Sequence, residues 1–298
     1  MKTLIIGGTG FVSGHLTDAA LRAGHEVHIV TRGQRRMREG AKAIIADRHD
    51  REGFARAIEA ANLRWDLAVD CIGYTADDAR QDVQAILPRC DHLVFISTDF
   101  VFAPKGRPFP VDETFSLFES ELPYGRGKRE AELILLSDTA TQPPVTILRP
   151  CHIYGPNSLL GCLPNHGRDP QLIDHMRKGE TLSLVGGGYF LQQPIFAADL
   201  ARMILSCHAN RQAAGQIFQA AGPDVIESRR YYEIIASHLN VDARFAETSV
   251  ADFLHSQPEQ RSFCCHRVYS MQKARDAGLA IPATPIVEGL GQHVASMI

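Results

Sequence analysis

The chain has 298 residues, enough for one large α/β domain or a large domain with a smaller appendage. Its 31 Lys and Arg against 34 Asp and Glu leave a formal charge of −3, which argues against a polybasic surface for nucleic acid or anionic membrane. Seven cysteines without a Cys-x-x-Cys spacing, and 13 scattered histidines without His-Glu-x-x-His, give neither a disulfide framework nor a metal site, so reduced thiols and no metal are expected.

The first apolar run, residues 3–6, meets Gly7 at once. It is too short for a signal peptide or a membrane span, and the chain is read as cytoplasmic. Residues 11–23 then show helical periodicity stopped by Gly24, and residues 26–31 are strand-like, which makes one βαβ unit. Inside it, Gly7-Gly8-Thr9-Gly10-Phe11 stands where a strand must turn into a helix. Glycines there let a pyrophosphate approach the backbone, and the N–H groups around Thr9, Phe11 and Val12, with the helix dipole, would bind it. Ser13 falls where the third glycine of a dinucleotide fingerprint is usual; the alternative is a purely structural turn.

At the end of the second strand the chain reads Val30-Thr31-Arg32, with no carboxylate for the adenosine ribose. Arg32, helped by Arg35 or Arg36, can pair with a 2′-phosphate, which leans the cofactor from NAD towards NADP; a solvated basic face is the alternative. Asp47 and Arg48, after a third strand at 43–46, are candidate contacts to the adenosine end, Asp47 to the adenine amino group, against the alternative of a surface loop. Helices at 51–61, 77–87 and 124–136 alternate with strands at 67–71, 92–97 and 145–148. Such alternation implies a parallel, doubly wound α/β sheet that binds ligands beyond the carboxyl ends of its strands. Residues 1–150 are read as the dinucleotide-binding domain. Residues 151–298 are read as mainly substrate-binding, with some segments returning to the first domain. Gly, Pro and Asn cluster at 154–170, and Gly186-Gly187-Gly188 follows; both are expected to form a binding rim. Helical patterns return at 197–208, 228–239 and 271–277.

Tyr124 and Lys128 lie four apart in the helix at 124–136. That spacing puts both on one face, so an ammonium beside the phenol would favour the phenolate and make Tyr124 an acid or base near neutral pH. Thr98 follows a strand that ends at Ser97, which delivers its hydroxyl to the same sheet edge.

In this order, Gly7-Gly8-Thr9-Gly10-Phe11, Ser97-Thr98-Asp99-Phe100-Val101-Phe102, Tyr124-x-x-x-Lys128 and Leu148-Arg149-Pro150-x-x-x-Tyr154-Gly155-Pro156 resemble the extended short-chain dehydrogenases/reductases. These include NAD(P)-dependent sugar epimerases and dehydratases on a Rossmann-type fold. Gly186-Gly187-Gly188, Asp199-Leu200-Ala201 and Gly215-Gln216-Ile217-Phe218 extend the resemblance over essentially the whole chain, and Tyr231-Tyr232-Glu233-Ile234-Ile235 is similar to the branch that includes the chloroplast stem-loop-binding proteins. The resemblance implies Tyr124 as catalytic acid/base and Lys128 as the residue that holds the nicotinamide ribose and lowers the tyrosine pKa. It implies Thr98, with Ser97 as second choice, as the hydroxyl on the reacting oxygen. Cys71 and Gly73, in Cys71-Ile72-Gly73-Tyr74, would pass the nicotinamide half.

Asp99 and Phe100 are candidate substrate contacts. Phe100 stands where sugar-nucleotide 4,6-dehydratases carry a glutamate, which ranks dehydration low. Where the epimerases commonly place an arginine for the substrate diphosphate, this chain has Gln192 and Gln193, candidate substrate contacts that can hydrogen-bond a phosphate or a sugar hydroxyl but bring no charge; Arg168, Arg261 and Arg267 are candidate substitutes. The leading expectation is an epimerase of a sugar or nucleotide sugar working through a transient keto intermediate. A net NAD(P)H-dependent ketoreductase or dehydrogenase is the alternative, and a non-catalytic RNA-binding or cofactor-sensing protein the alternative of another class. Dimerisation through helices 77–87 and 124–136 is implied by analogy alone.

Overall fold

The computed structural model describes residues 1–137 and 143–298. The first half runs β1 (Lys2–Ile6), α1 (Phe11–Arg22), β2 (Glu26–Thr31), β3 (Lys42–Ile45), α2 (Arg51–Ala61), β4 (Leu67–Asp70), α3 (Ala76–Gln81), β5 (Leu93–Ile96), α4 (Pro123–Leu135) and β6 (Val145–Pro150). The second half adds β7 (Ile153–Tyr154), α5 (Leu172–Arg177), β8 (Thr181–Val185), β9 (Leu191–Gln192), β10 (Ile195–Phe196), α6 (Ala197–Ser206), β11 (Ile217–Ala220), β12 (Ile226–Glu227), α7 (Ser228–Leu239), β13 (Arg244–Thr248), α8 (Val250–Ser256), α9 (Gln272–Asp276) and α10 (Ile286–Ala295).

Seven parallel strands form the central sheet in the order β11-β6-β5-β4-β1-β2-β3. β4, β5 and β6 are buried along their whole length, as expected of strands covered by helices on both faces. Their side chains alternate between two cores. Ile5, Val69, Val94 and Leu148 meet Leu16 of α1 and Leu200 and Met203 of α6; Leu4, Ala68, Phe95 and Ile147 meet Phe54 and Ile58 of α2 and Leu135 of α4. The order reverses between β1 and β4, and chains leaving neighbouring strands in opposite directions open a crevice there. A third core, around Tyr154, Leu172, Leu184, Tyr231, Tyr232 and Leu290, belongs to the second half. The helix expected at 77–87 is α3 followed by a π-helical turn over Asp82–Ile86.

Two buried ionic clusters brace the crevice. Glu132 of α4 accepts from Arg149 of β6 through both oxygens, at 2.8 and 2.6 Å, and from Ser97 at 2.6 Å, so helix, strand and the end of β5 are tied at one carboxylate. Burial pushes that carboxyl up, but Arg149, Ser97 and Arg129 outweigh it and hold it below the usual range. The second cluster corrects an expectation. Arg48 is buried and outside the cleft lining, with its guanidinium on Asp70 at 2.8 Å, on Asp82 at 3.0 Å and on the Asp78 carbonyl at 3.1 Å. The two carboxylates lie 22 and 34 residues away, so no local pattern announced them.

Among the described residues no helix is long and apolar enough to cross a membrane, and no group of three His, Cys, Asp or Glu is placed to hold a metal.

Candidate active-site cleft

A cleft of about 1070 Å³ opens at the carboxyl edge of the sheet. On one wall α1 begins at Gly10, and Gly10, Phe11, Val12 and Ser13 all line the cleft. The first N–H groups of a helix have no acceptor within it, so those of Phe11 and Val12 remain for a ligand. The Gly10 N–H is already satisfied by Ser13 Oγ at 2.9 Å. Two glycines are required by geometry. Gly7 has φ +109°, and a Cβ on Gly8 would lie 2.4 Å from Ile29, so only glycine lets this turn sit against β2.

Cys71 and Tyr74, from the loop after β4, line the next part of the cleft. Asp70 shapes this loop, its Oδ1 accepting from the N–H of Ile72 at 2.8 Å and of Gly73 at 2.9 Å. Gly73 itself is buried, and a Cβ there would strike the Asp70 carboxylate at 2.2 Å. Burial keeps the Cys71 thiol strongly protonated.

At the centre stand Thr98, Tyr124 and Lys128, all in contact with the cleft. Tyr124 is 46 % exposed and sits between the rings of Tyr74 and Phe100, at centroid distances of 6.3 and 5.9 Å. Burial within the cleft raises its phenol above the ordinary tyrosine value, and the facing Thr98 hydroxyl pulls it partly back. Lys128 departs from expectation. Its Nζ donates to the Ile96 carbonyl at 2.6 Å and lies 4.8 Å from the ring centroids of both Tyr74 and Phe95. Burial pushes the ammonium down to about 8, partly opposed by Asp70. The four-residue spacing therefore does not lower the phenol's pKa in this state: the lysine turns inward and the tyrosine outward.

Asp99 and Phe100 lie in the cleft, but Asp99 is committed. Its Oδ2 accepts from Arg267 at 2.8 Å and from the Tyr269 hydroxyl, while the Arg267 guanidinium lies 4.0 Å above the Phe100 ring. Arg261 is likewise tied to Glu119 at 3.1 Å. Arg168 lines the cleft with no such partner among the described residues.

Gln192 and Gln193 are corrections: neither lines the cleft. Gln192 is wholly buried on β9, and the Gln193 amide is engaged by the Gly222 carbonyl at 2.8 Å and the Tyr269 N–H at 2.7 Å. Gly186 to Gly188 form no part of the cleft lining either, since the Gly188 position packs against Arg229 and Leu184. Arg32 is exposed beyond the end of β2, and Asp47 accepts from the N–H of its own neighbour His49 at 3.0 Å; both stand outside the cleft lining. His152, which no motif singled out, lines the cleft directly after β6 and is held neutral, pushed down to about 3 by burial and then by Arg168 and Arg267. Its position beyond the carboxyl end of a central strand was the available signal.

A model described as the NAD dependent epimerase/dehydratase family matches residues 3–221. Among curated proteins, a UDP-N-acetyl-alpha-D-glucosaminuronate decarboxylase of Bacillus cytotoxicus is 27% identical over 63% of this chain and 64% of its own length. The match thus spans less than two thirds of that relative. The chloroplast stem-loop binding protein of 41 kDa b of Arabidopsis thaliana is 22% identical over 97% of this chain and 77% of its own. Among solved structures, a UDP-glucose 4-epimerase of Thermus thermophilus in complex with NAD superposes with a TM-score of 0.78 at 17% identity, covering 100% of this chain and 99% of that one.

Proposed function

The chain belongs to the NAD-dependent epimerase/dehydratase family, and on that premise we propose that it is an NAD(P)-dependent epimerase of a sugar or nucleotide sugar. One observation carries the reading: Thr98, Tyr124 and Lys128 line the same cleft as the N-terminus of α1. The residues present fit a dinucleotide. The turn at Gly7 and Gly8 tolerates no side chain, the first N–H groups of α1 suit a pyrophosphate, and Cys71 and Lys128 line the cleft beyond it, with Gly73 buried behind the Cys71 loop. When bound, NAD(P)+ supplies the hydride acceptor and donor. Tyr124 takes the proton of the substrate hydroxyl as its carbon is oxidised. Thr98 would donate a hydrogen bond to that oxygen, and Tyr124 would give the proton back to it, so no net oxidation would result.

Dehydration is disfavoured, because Asp99 is held in an ion pair and Phe100 brings no carboxyl. A net ketoreductase is the second reading. It is supported by the aromatic wall of Tyr74, Phe100 and Phe263 and by the pairing of Arg261 and Arg267 with carboxylates, which leaves little charge for a substrate diphosphate. The two readings separate in one assay. The epimerase interconverts epimers with no added nucleotide, whereas a protein that consumes NADPH stoichiometrically and accumulates alcohol is the reductase.

We assign the adenosine 2′-phosphate to Arg32, which favours NADP. Arg32→Ala is expected to weaken NADP+ binding about tenfold, the worth of one charge-assisted hydrogen bond, and to leave NAD+ within about twofold. Equal affinities of wild type and variant for NADP+ in a calorimetric titration would remove the assignment.

A further inference from the structure

We infer that Arg168 is a cation that pairs with the pyrophosphate of the bound dinucleotide beside the N-terminus of α1, presented by a strap at residues 155–169; the inference rests on the family reading of the cleft.

The strap is built to hold one shape. Its end is tied back where Asp169 N–H donates to the Leu160 carbonyl at 2.8 Å. Gly161 has φ +136°, and a Cβ there would fall 1.7 Å from the His166 carbonyl oxygen, so only glycine lets the chain double back. Four elements bolt it down. From α1, His15 Nε2 donates to the Pro156 carbonyl at 2.8 Å. From α10, His293 Nε2 donates to the Ser158 carbonyl at 2.9 Å while Nδ1 accepts from Gly155 N–H at 3.2 Å. From α7, the Tyr232 hydroxyl accepts from Cys162 N–H at 3.0 Å, and its own proton is directed to the carbonyls of Cys162 and Asn165. At β8 the Ser183 carbonyl accepts from Asn165 and His166, at 2.9 and 3.0 Å.

The cost of this construction appears at His166 and Arg168, with φ of +54° and +60°. Bulky residues rarely adopt this conformation, and it persists where the surroundings over-determine it. An arginine needed only for solubility could sit in relaxed backbone. Here the strained backbone delivers an exposed guanidinium to within 6.0 Å of the ring centroid of Phe11, the first residue of α1. Arg267 on the same cleft is neutralised by Asp99, and Arg261 beside it by Glu119, whereas no carboxylate among the described residues pairs with Arg168. A guanidinium fork fits a phosphate in two-point contact, and the free N–H groups of α1 would hold the same anion from below.

A diphosphate at this position could come from the cofactor or from a nucleotide-linked substrate, and titration of the full-length protein distinguishes them. NAD+, ADP-ribose, adenosine and UDP would be titrated into wild type, Arg168→Gln and Arg168→Lys. The inference predicts that Arg168→Gln weakens NAD+ and ADP-ribose by about tenfold or more, that Arg168→Lys recovers part of the loss, and that adenosine is unchanged. NAD+ and ADP-ribose binding equally well to Arg168→Gln would overturn it. So would a loss confined to UDP, which would assign the arginine to the substrate. A wild type that binds neither NAD+ nor NADP+ would instead bring down the family reading of the cleft, a separate failure that takes this inference with it.

Discussion

Tyr124→Phe is expected to lower turnover by about 10²- to 10⁴-fold, the usual worth of a positioned acid/base, while nucleotide binding and stability stay near wild type. The ring remains between Tyr74 and Phe100, and only a hydroxyl facing the cleft is lost, so the substitution creates no cavity. The phenol is protonated at neutral pH at its ordinary value of about 10, and burial raises it further, so Tyr124 is ready to donate a proton. To accept one, it needs positive charge brought close when the site is loaded. Thr98 survives in the variant and still donates to the reacting oxygen, which leaves a residual rate. The check is turnover of the epimerised substrate, with a urea midpoint measured in parallel. A loss under about tenfold with the fold intact would remove Tyr124 from the proton path.

The second large effect has opposite signs in stability and function. Lys128→Met is expected to stabilise the ligand-free protein by roughly 1–3 kcal/mol at pH 7 and to abolish turnover. A depression from 10.5 to about 8 corresponds to roughly 3 kcal/mol against the charged form. Loss of the hydrogen bond to the Ile96 carbonyl offsets part of the gain. The folded pKa is below the unfolded one, so between about 8 and 10.5 the unfolded chain binds more protons and wild-type stability rises with pH. The advantage of methionine is therefore full below pH 8 and fades as pH climbs to 10.5. Denaturant midpoints of both proteins across that window test this. A destabilised methionine variant at pH 7 would mean that the ammonium is better solvated than its burial indicates. A burial cost borne by an inward lysine that lines the cleft is what a functional residue shows when its site works against stability.

What the sequence revealed followed the range of its interactions. The turn at Gly7 to Gly10, the α/β alternation and the placement of Thr98 at a strand end depend on neighbours in the chain, and the seven-stranded sheet shares those strands closely. Arg48 has no local signature of its burial, because its carboxylates arrive from β4 and from the turn after α3. Gln192 and Gln193 give no local sign of their burial either, because β9 is two residues long and is covered by β12 and the segment at Arg267 to Tyr269. Periodicity could not say which of Tyr124 and Lys128 faces inward, since both occupy one face and only the Ile96 carbonyl and the Tyr74 and Phe95 rings decide it. The strap that carries Arg168 read as a loop rich in Gly, Pro and Asn; its bolts come from α1, β8, α7 and α10 and have no local signature.

A nicotinamide dinucleotide held tightly in this cleft beside Tyr124 must come away when the purified full-length protein is denatured, where it can be quantified. NAD+ or NADP+ is expected at about one per chain, retained by Tyr124→Phe and reduced by Arg168→Gln. A protein that releases neither, and that binds neither at millimolar concentration, would contradict it.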